Sequence, residues 1–313
     1  MPWDELSATD GILRQIAQRD SLQPHEVGIG DDSAVVSWNS NNMVVCSDVI
    51  VEEVHFSLRY FGYSDVGYKA ISTNISDIAA MGAMPDCVLV TVAGPSHSDL
   101  DAIFLGLTTA CSQYETRLIG GDLSIAAQLS ISVCAIGHLV DPSSVLRRDG
   151  ARAGQSIFVT GPLGRSSHSL RHLRSGGSPD LLSREDLQAH LRPQARIKEG
   201  QQALRSGVSS GIDISDGLAL DLHRLADASG LGFKVESLPI APGATEADAL
   251  FGGDDYELIL TTSHPKQLID DFRAAGLLEP KFLGVTVDDR SLRTFHARPL
   301  PKIGYHHSPT TER

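Results

Sequence analysis

The sequence predicts a mixed α/β (α+β) protein of two domains, and three observations predict it. Short apolar runs of strand character alternate with longer segments of helical spacing. A chain of 313 residues is longer than one ordinary core accommodates. Between two periodic halves, "DPSSVLRRDGARAG" loses the apolar period and collects Pro, Ser, Gly and Arg. The expected division is an N-terminal domain over 1–140, a linker over 141–154 and a C-terminal α/β domain over 155–313.

In the first half, "GIGDDSAVV" (Gly28 to Val36) sets two aspartates between a glycine turn and an apolar run. "MVVCSDV" (Met43 to Val49) reads as a strand, and "VGYKAISTNISDIAAMG" (Val66 to Gly82) as a helix. "DCVLVTVA" (Asp86 to Ala93) is a strand and "DLDAIFLGLTTACSQY" (Asp99 to Tyr114) a helix. "RLIGG" is an apolar strand running into glycines, and "LSISVCAIGHLV" (Leu129 to Val140) a further strand. The second half opens with strand "SIFVTG" and a polar stretch, Arg165 to Arg184, read as helix and surface loop. "GIDISDGLALDLHRLADASG" gives a strand end, a turn and a helix. Its Leu218, Leu222 and Leu225 share one face, and Gly230 sits at the C-terminal cap. "GGDDYELILTTS" is a glycine turn leading into a strand, and the Pro- and His-containing tail after Arg298 is expected on the surface.

Bulk composition narrows the function. A hydrophobic fraction of 41% supports packed cores, whereas a formal charge of −13 opposes a nucleic-acid or anionic-membrane surface. Cys46, Cys87, Cys111 and Cys134 lack C-x-x-C spacing and read as reduced thiols. The opening "MPWDELSATD" lacks the pattern of a signal peptide, and no apolar run reaches the length of a membrane span. A soluble, cytoplasmic location is expected.

Several carboxylates stand in unusual company. Asp77 lies among Ile75, Ile78, Ala79, Ala80 and Met81, where a charge needs a cation or several donors; Lys69 and Arg117 are candidate partners. Asp48 ends an apolar strand, Asp122 follows "RLIGG", and Asp213 and Asp216 bracket the turn "DISDG". Asp216 or Ser215 can also cap the following helix, and Asp122 can be a turn residue. Clustered hard oxygens suit Mg²⁺ shared with substrate phosphates, which reconciles an acidic chain with a phosphate ligand. No G-x-x-x-x-G-K-[ST] occurs, so a P-loop is excluded.

Taken in order, "GIGDDSAVV", "SDVIVEEVHF", "YKAISTNISDIAAMGAMP", "LIGGD", "LRRDGARAGQSIFVTGPLG", "LRPQARIKEG", "IDISDGLALDL" and "GGDDYELILT" resemble the thiamine-monophosphate kinases of the aminoimidazole ribonucleotide synthetase-like superfamily. The resemblance implies ATP-dependent phosphorylation of thiamine monophosphate to thiamine diphosphate. It also implies the two-domain fold of that superfamily, with N-terminal strands pairing across a homodimer. Asp32, Cys46 through its carbonyl, Ser47, Asp48, Asp77, Asp122, Asp213 and Asp216 match metal positions for several Mg²⁺ ions. Gly121, Asp122, Arg148 and Ser215 match ATP positions, and His55, Asp254 and Lys302 fall at substrate positions. No side chain is expected to act as acid or base, because the acceptor is already an anionic phosphate oxygen. Four residues depart from the family pattern: Cys46 replaces Ser or Thr, Ser47 replaces Thr, Asp254 replaces Glu, and Lys302 replaces an aromatic residue. The alternatives are a related ATP-dependent enzyme with another acceptor and a non-catalytic nucleotide-binding paralogue.

Overall fold

Buried and exposed residues alternate along Met84–Gly94 and Ser130–His138, the signature of a sheet covered on one face. In the computed structural model, which describes residues 26–27, 31–38, 41–141 and 144–305, these are the inner strands of a five-stranded sheet. Its strands are β1 (Ala34–Trp38), β2 (Asn41–Val51), β3 (Met84–Gly94), β4 (Arg117–Ile125) and β5 (Ser130–His138), in the order β1-β2-β5-β3-β4. Only β3 and β4 pair in parallel within this sheet, joined by helix α2 (Leu100–Gln113). The glycine turn at 28–30 lies outside the described residues.

Helix α1 (Tyr63–Ala80) and α2 cover the inner face. They pack closely because each presents a glycine at the crossing. A Cβ on Gly67 would stand 2.2 Å from the Ile103 carbonyl, and one on Gly106 2.0 Å from that of Ser64. Residues Val66 to Ser76 of α1 are all buried, so this helix is the central beam of the molecule.

The second sheet has seven strands, ordered β12-β11-β8-β10-β6-β9-β7. In chain order the second half runs β6 (Ser156–Val159), α3 (Arg165–Arg174), α4 (Arg184–Leu191), α5 (Ile197–Arg205) and β7 (Ser210–Asp213). It continues with α6 (Leu218–Ser229), β8 (Gly232–Val235), α7 (Glu246–Phe251), β9 (Leu258–Thr262), α8 (Pro265–Ala274) and β10 (Lys281–Val287). Two short strands, β11 (Arg293–Phe295) and β12 (Arg298–Pro299), close the edge. Leu218, Leu222 and Leu225 of α6 enter one core, and Gly230 ends the helix at φ 68° as its position in the sequence requires.

A third apolar cluster carries Ala80 of α1 together with Leu146, Phe158, Leu258, Leu260 and Phe272, so the end of α1 is embedded against the second sheet. The segment expected as a linker is itself packed there. Leu146 is fully buried, and the Arg148 carbonyl accepts from Ser229 Oγ at 2.7 Å. The tail also departs from a plain surface course. Leu300 is buried, and Tyr305 donates its N–H to the Asp216 carbonyl at 2.8 Å and its hydroxyl to the Val54 carbonyl of the first half at 2.7 Å.

Candidate functional site

One face of α1 carries polar residues at helical spacing, Lys69, Thr73, Ser76 and Asp77, although most of the helix is buried. That stripe faces the second half of the chain and organises the site. Near the C-terminal end, Asp77 meets Asp32, just before β1, and Asp213, at the end of β7. Carboxylate oxygens of the three lie within 4.8 Å of one another. Ser76 donates to Asp213 Oδ2 at 2.6 Å. Burial, then Asp48, Asp213 and Asp32, push the Asp77 carboxyl well above the usual range; burial and then Asp32 do the same to Asp213.

Arg148 is the cation inside this cluster. Its Nη2 and Nε donate to Asp32 at 2.7 and 3.2 Å, a two-pronged pair. Asp31 supports both residues: its carboxylate accepts from the N–H of Asp32 and that of Arg148, each at 3.0 Å. Burial and the adjacent Asp32 raise the Asp31 carboxyl to about 6. The double aspartate thus divides its work, with Asp32 turned into the cluster and Asp31 holding the backbone around it.

The remaining positions are placed less uniformly. Cys46 is buried on the inner face of β2 with its Sγ donating to the Asn74 carbonyl at 3.3 Å; burial and then Asp77 raise its thiol well above the usual range. The Asp48 N–H donates to the Asn74 side-chain oxygen at 2.9 Å, and the Asp48 carboxylate acts electrostatically on Asp77. Ser47 is exposed and turns its hydroxyl to the Val133 carbonyl at 3.0 Å, apart from the trio. Asp216 pairs with Arg224 at 2.5 Å. Gly121 and Asp122 do not join the cluster; they sit on edge strand β4 and line a separate cavity of about 400 Å³ with Phe104 and Leu118.

A larger cavity of about 1040 Å³ runs from Asp48, Ser215 and Asp216 past His55 to Asp254 and Tyr256. His55 Nδ1 accepts the Val51 N–H at 2.9 Å, which fixes the ring at the wall. Asp254 is held by two partners: Lys69 Nζ donates to it at 2.7 Å and the Tyr256 hydroxyl at 2.9 Å. Burial opposes the Asp254 charge, but the Lys69 ammonium and the hydrogen bonds from Lys69 and Tyr256 hold its carboxyl below the usual range. Asp254 and Tyr256 both take positive φ, 66° and 50°, a conformation costly for non-glycine residues. The alternate residues anchor it: the Asp255 carboxylate accepts the Gly164 N–H at the start of α3, and Glu257 is gripped by Arg196 and Thr160.

Lys302 is the clearest misplacement. Its ammonium pairs with Asp227 on the outside of α6 at 2.8 Å and does not line the cavity; Tyr305 does, with its hydroxyl on the Val54 carbonyl at 2.7 Å. Lys69 also has a different role from that read in the sequence, since it pairs with Asp254 and not with Asp77. The sequence reading missed Asp221 too. Its Oδ2 accepts the N–H groups of Asp216 and Gly217 at 3.0 and 3.1 Å, shaping the turn before α6. The residue follows the cap position by four, a signal the sequence did contain.

Residues 30–139 match the family described as AIR synthase related protein, N-terminal domain, and residues 152–297 its C-terminal domain. Two α/β halves meeting over a carboxylate cluster are therefore an AIR synthase related fold. Thiamine-monophosphate kinase of Bacillus subtilis is 38% identical over 277 residues, covering 83% of this chain and 84% of its own. The enzyme of Aquifex aeolicus is 35% identical over 267 residues, covering 78% and 83%. The structure of AaThiL complexed with AMPPCP and TMP superimposes with a TM-score of 0.85 at 28% identity, over 98% of this chain and 99% of that one. The chain belongs to the thiamine-monophosphate kinase family.

Proposed function

We propose that this protein transfers the γ-phosphoryl group of ATP to the phosphate of thiamine monophosphate, forming thiamine diphosphate and ADP. The observation that carries the reading is the convergence of Asp32, Asp77 and the buried Asp213 beside Arg148. Three hard oxygen donors so close together, two of them with carboxyls raised by burial and neighbouring charge, fit a divalent cation of the Mg²⁺ type. Asp32, Asp77 and Asp213 would hold it, with Asp48 and Asp216 near by on the cavity wall. Bound there, Mg²⁺ supplies charge neutralisation for the phosphates that approach one another.

The protein's own groups do the positioning. Arg148, held by Asp31 through its backbone, offers a fixed guanidinium to the polyphosphate. Ser215 and His55 line the same cavity, where His55 would meet the acceptor phosphate. The acceptor oxygen is anionic near neutral pH, so no side chain need remove a proton. The test incubates purified protein with ATP, Mg²⁺ and thiamine monophosphate, with and without chelator. Thiamine diphosphate that appears only without chelator is expected; ATP binding with no such product, under conditions where the protein is folded, would favour another acceptor or a non-catalytic paralogue.

Two further proposals accompany this reading. A cytoplasmic location is proposed on the likeness to thiamine-monophosphate kinases; no helix among the described residues is long and apolar enough to cross a membrane. The outer face of the first sheet shows Val49 and Leu89, and edge strand β4 shows Ile119, Leu123 and Ile125, with Ile125 82% exposed. An apolar sheet face with an open edge is covered most simply by a second copy of the same face. Light scattering at micromolar concentration is expected to return twice the 33.5 kDa chain mass, and a monomer would refute the homodimer.

A further inference from the structure

His190, in the last turn of α4, is 3% exposed and yet lines the same cavity as Asp254. Its Nδ1 lies 3.0 Å from the Ser166 hydroxyl, and its ring stands edge-on to Phe61 with centroids 5.1 Å apart. Among the described residues nothing bonds to Nε2, and that atom is not sealed off from the cavity. Burial and then the Lys69 ammonium push the imidazole down to about 3, so the ring is neutral at any working pH. A neutral imidazole has one donor and one acceptor nitrogen.

Asp254 is the neighbouring polar group, close enough for its charge to act on His190. Lys69 occupies one of its oxygens and Tyr256 the other, which orients the carboxylate and leaves each oxygen further lone pairs. Lys69 and Asp77 are eight residues apart on α1, so Asp254 and the carboxylate trio are anchored roughly 12 Å apart along that helix. One end of the site is therefore built for phosphates and metal, and the other for a polar ring.

We propose that His190 is a specificity-determining residue: with Ser166 donating to Nδ1, its Nε2–H and the Asp254 carboxylate form a donor and acceptor pair that reads an aminopyrimidine edge. The ring nitrogen of the substrate accepts from His190, and its exocyclic amine donates to Asp254. This assignment rests on the thiamine-monophosphate reading above. A 4-oxo analogue reverses both groups, placing a ring N–H against a donor and a carbonyl against a carboxylate, a mismatch that a site of fixed polarity rejects strongly.

The experiment measures kcat and KM for thiamine monophosphate and for oxythiamine monophosphate in wild type, His190→Leu, His190→Gln and Ser166→Ala. Wild type is expected to prefer the amino substrate by about 100-fold or more in kcat/KM. His190→Leu raises KM for the amino substrate about tenfold, changes kcat by less than about threefold, and reduces the preference below about tenfold. His190→Gln, whose amide N–H can replace Nε2–H, brings KM back to within about threefold of wild type. A wild-type KM and preference in His190→Leu overturns the assignment, as does a Gln variant impaired as much as Leu, because packing alone would then explain both. If His190→Leu does not fold, Ser166→Ala decides: it keeps the ring but releases its tautomer, and an unchanged preference overturns the proposal. Should wild type not phosphorylate thiamine monophosphate at all, it is the functional reading that fails. Calorimetric binding of thiamine monophosphate to wild type and to His190→Gln and His190→Leu then tests the ring contact by itself, with equal affinities counting against it.

Discussion

Asp77→Asn is expected to lower phosphoryl transfer by roughly 10³-fold while leaving the fold intact, the scale seen when one preorganised electrostatic group is lost from a water-poor site. The amide keeps the shape of the carboxylate and its packing in α1, but removes one of the three charges that a divalent cation would meet. Stability gives a second readout. Carboxyls raised on folding bind protons more readily in the folded than in the unfolded chain, so their stabilising contribution is complete at low pH and is lost as pH rises through the folded value. For Asp31 that window runs from the ordinary 3.8 to about 6, and Asp77 and Asp213 shift in the same direction. Metal-free wild type should therefore melt at lower temperature at pH 7.5 than at pH 5, with added Mg²⁺ restoring it. The Asn variant should show a smaller fall and little response to Mg²⁺. Normal turnover by Asp77→Asn, or an undiminished Mg²⁺ effect on its melting, would remove Asp77 from the metal site.

Lys69→Met should be the most destabilising single change at the site. Lys69 is 1% exposed, and besides Asp254 it reaches, among the described residues, the His55 carbonyl at 3.2 Å and the Phe61 ring at 5.4 Å. Methionine keeps much of the alkyl packing but leaves the Asp254 charge without its cation. Breaking a buried pair from one side costs about 3–5 kcal/mol, and the 28% exposure of the Asp254 side chain to the cavity puts this case near the lower end. Urea unfolding checks it, with Lys69→Met/Asp254→Asn as the companion: removing both charges should recover a good part of the loss. A single variant within 1 kcal/mol of wild type, or a double variant less stable than the single, would show that the pair does not hold the seam.

Much of the fold was legible in the sequence because its elements are long and their periods strong. The strands over 43–49 and 86–93 were recognised, and the ladders carry them to Asn41–Val51 and Met84–Gly94, where pairing continues past the apolar pattern. The helix read from Val66 begins three residues earlier, because Asp65 accepts the Gly62 N–H and closes the first turn. Shorter elements of the second half, such as the 3₁₀ turn at Pro179–Leu181 and the short strands β11 and β12, carried no such signal.

The site divides along a similar line. Asp32, Asp77 and Asp213 stood out because a carboxylate beside glycines or inside an apolar run is costly without a purpose, and that cost is a local property of sequence. Lys302 and Lys69 show the limit of such reading. A flexible ammonium can serve a surface pair with Asp227 or a buried one with Asp254, 185 residues away, and neither spacing nor composition distinguishes the two. The sequence alone determined the fold class, the acidic oxygen-ligand chemistry and the family. Tertiary structure alone decided which carboxylates converge, which cation each one meets, and that His190 and Tyr305 line the same cavity. Period and local cost are written within a few residues of chain, whereas charge pairing and cavity shape depend on distances that exist only once the two halves have packed across α1.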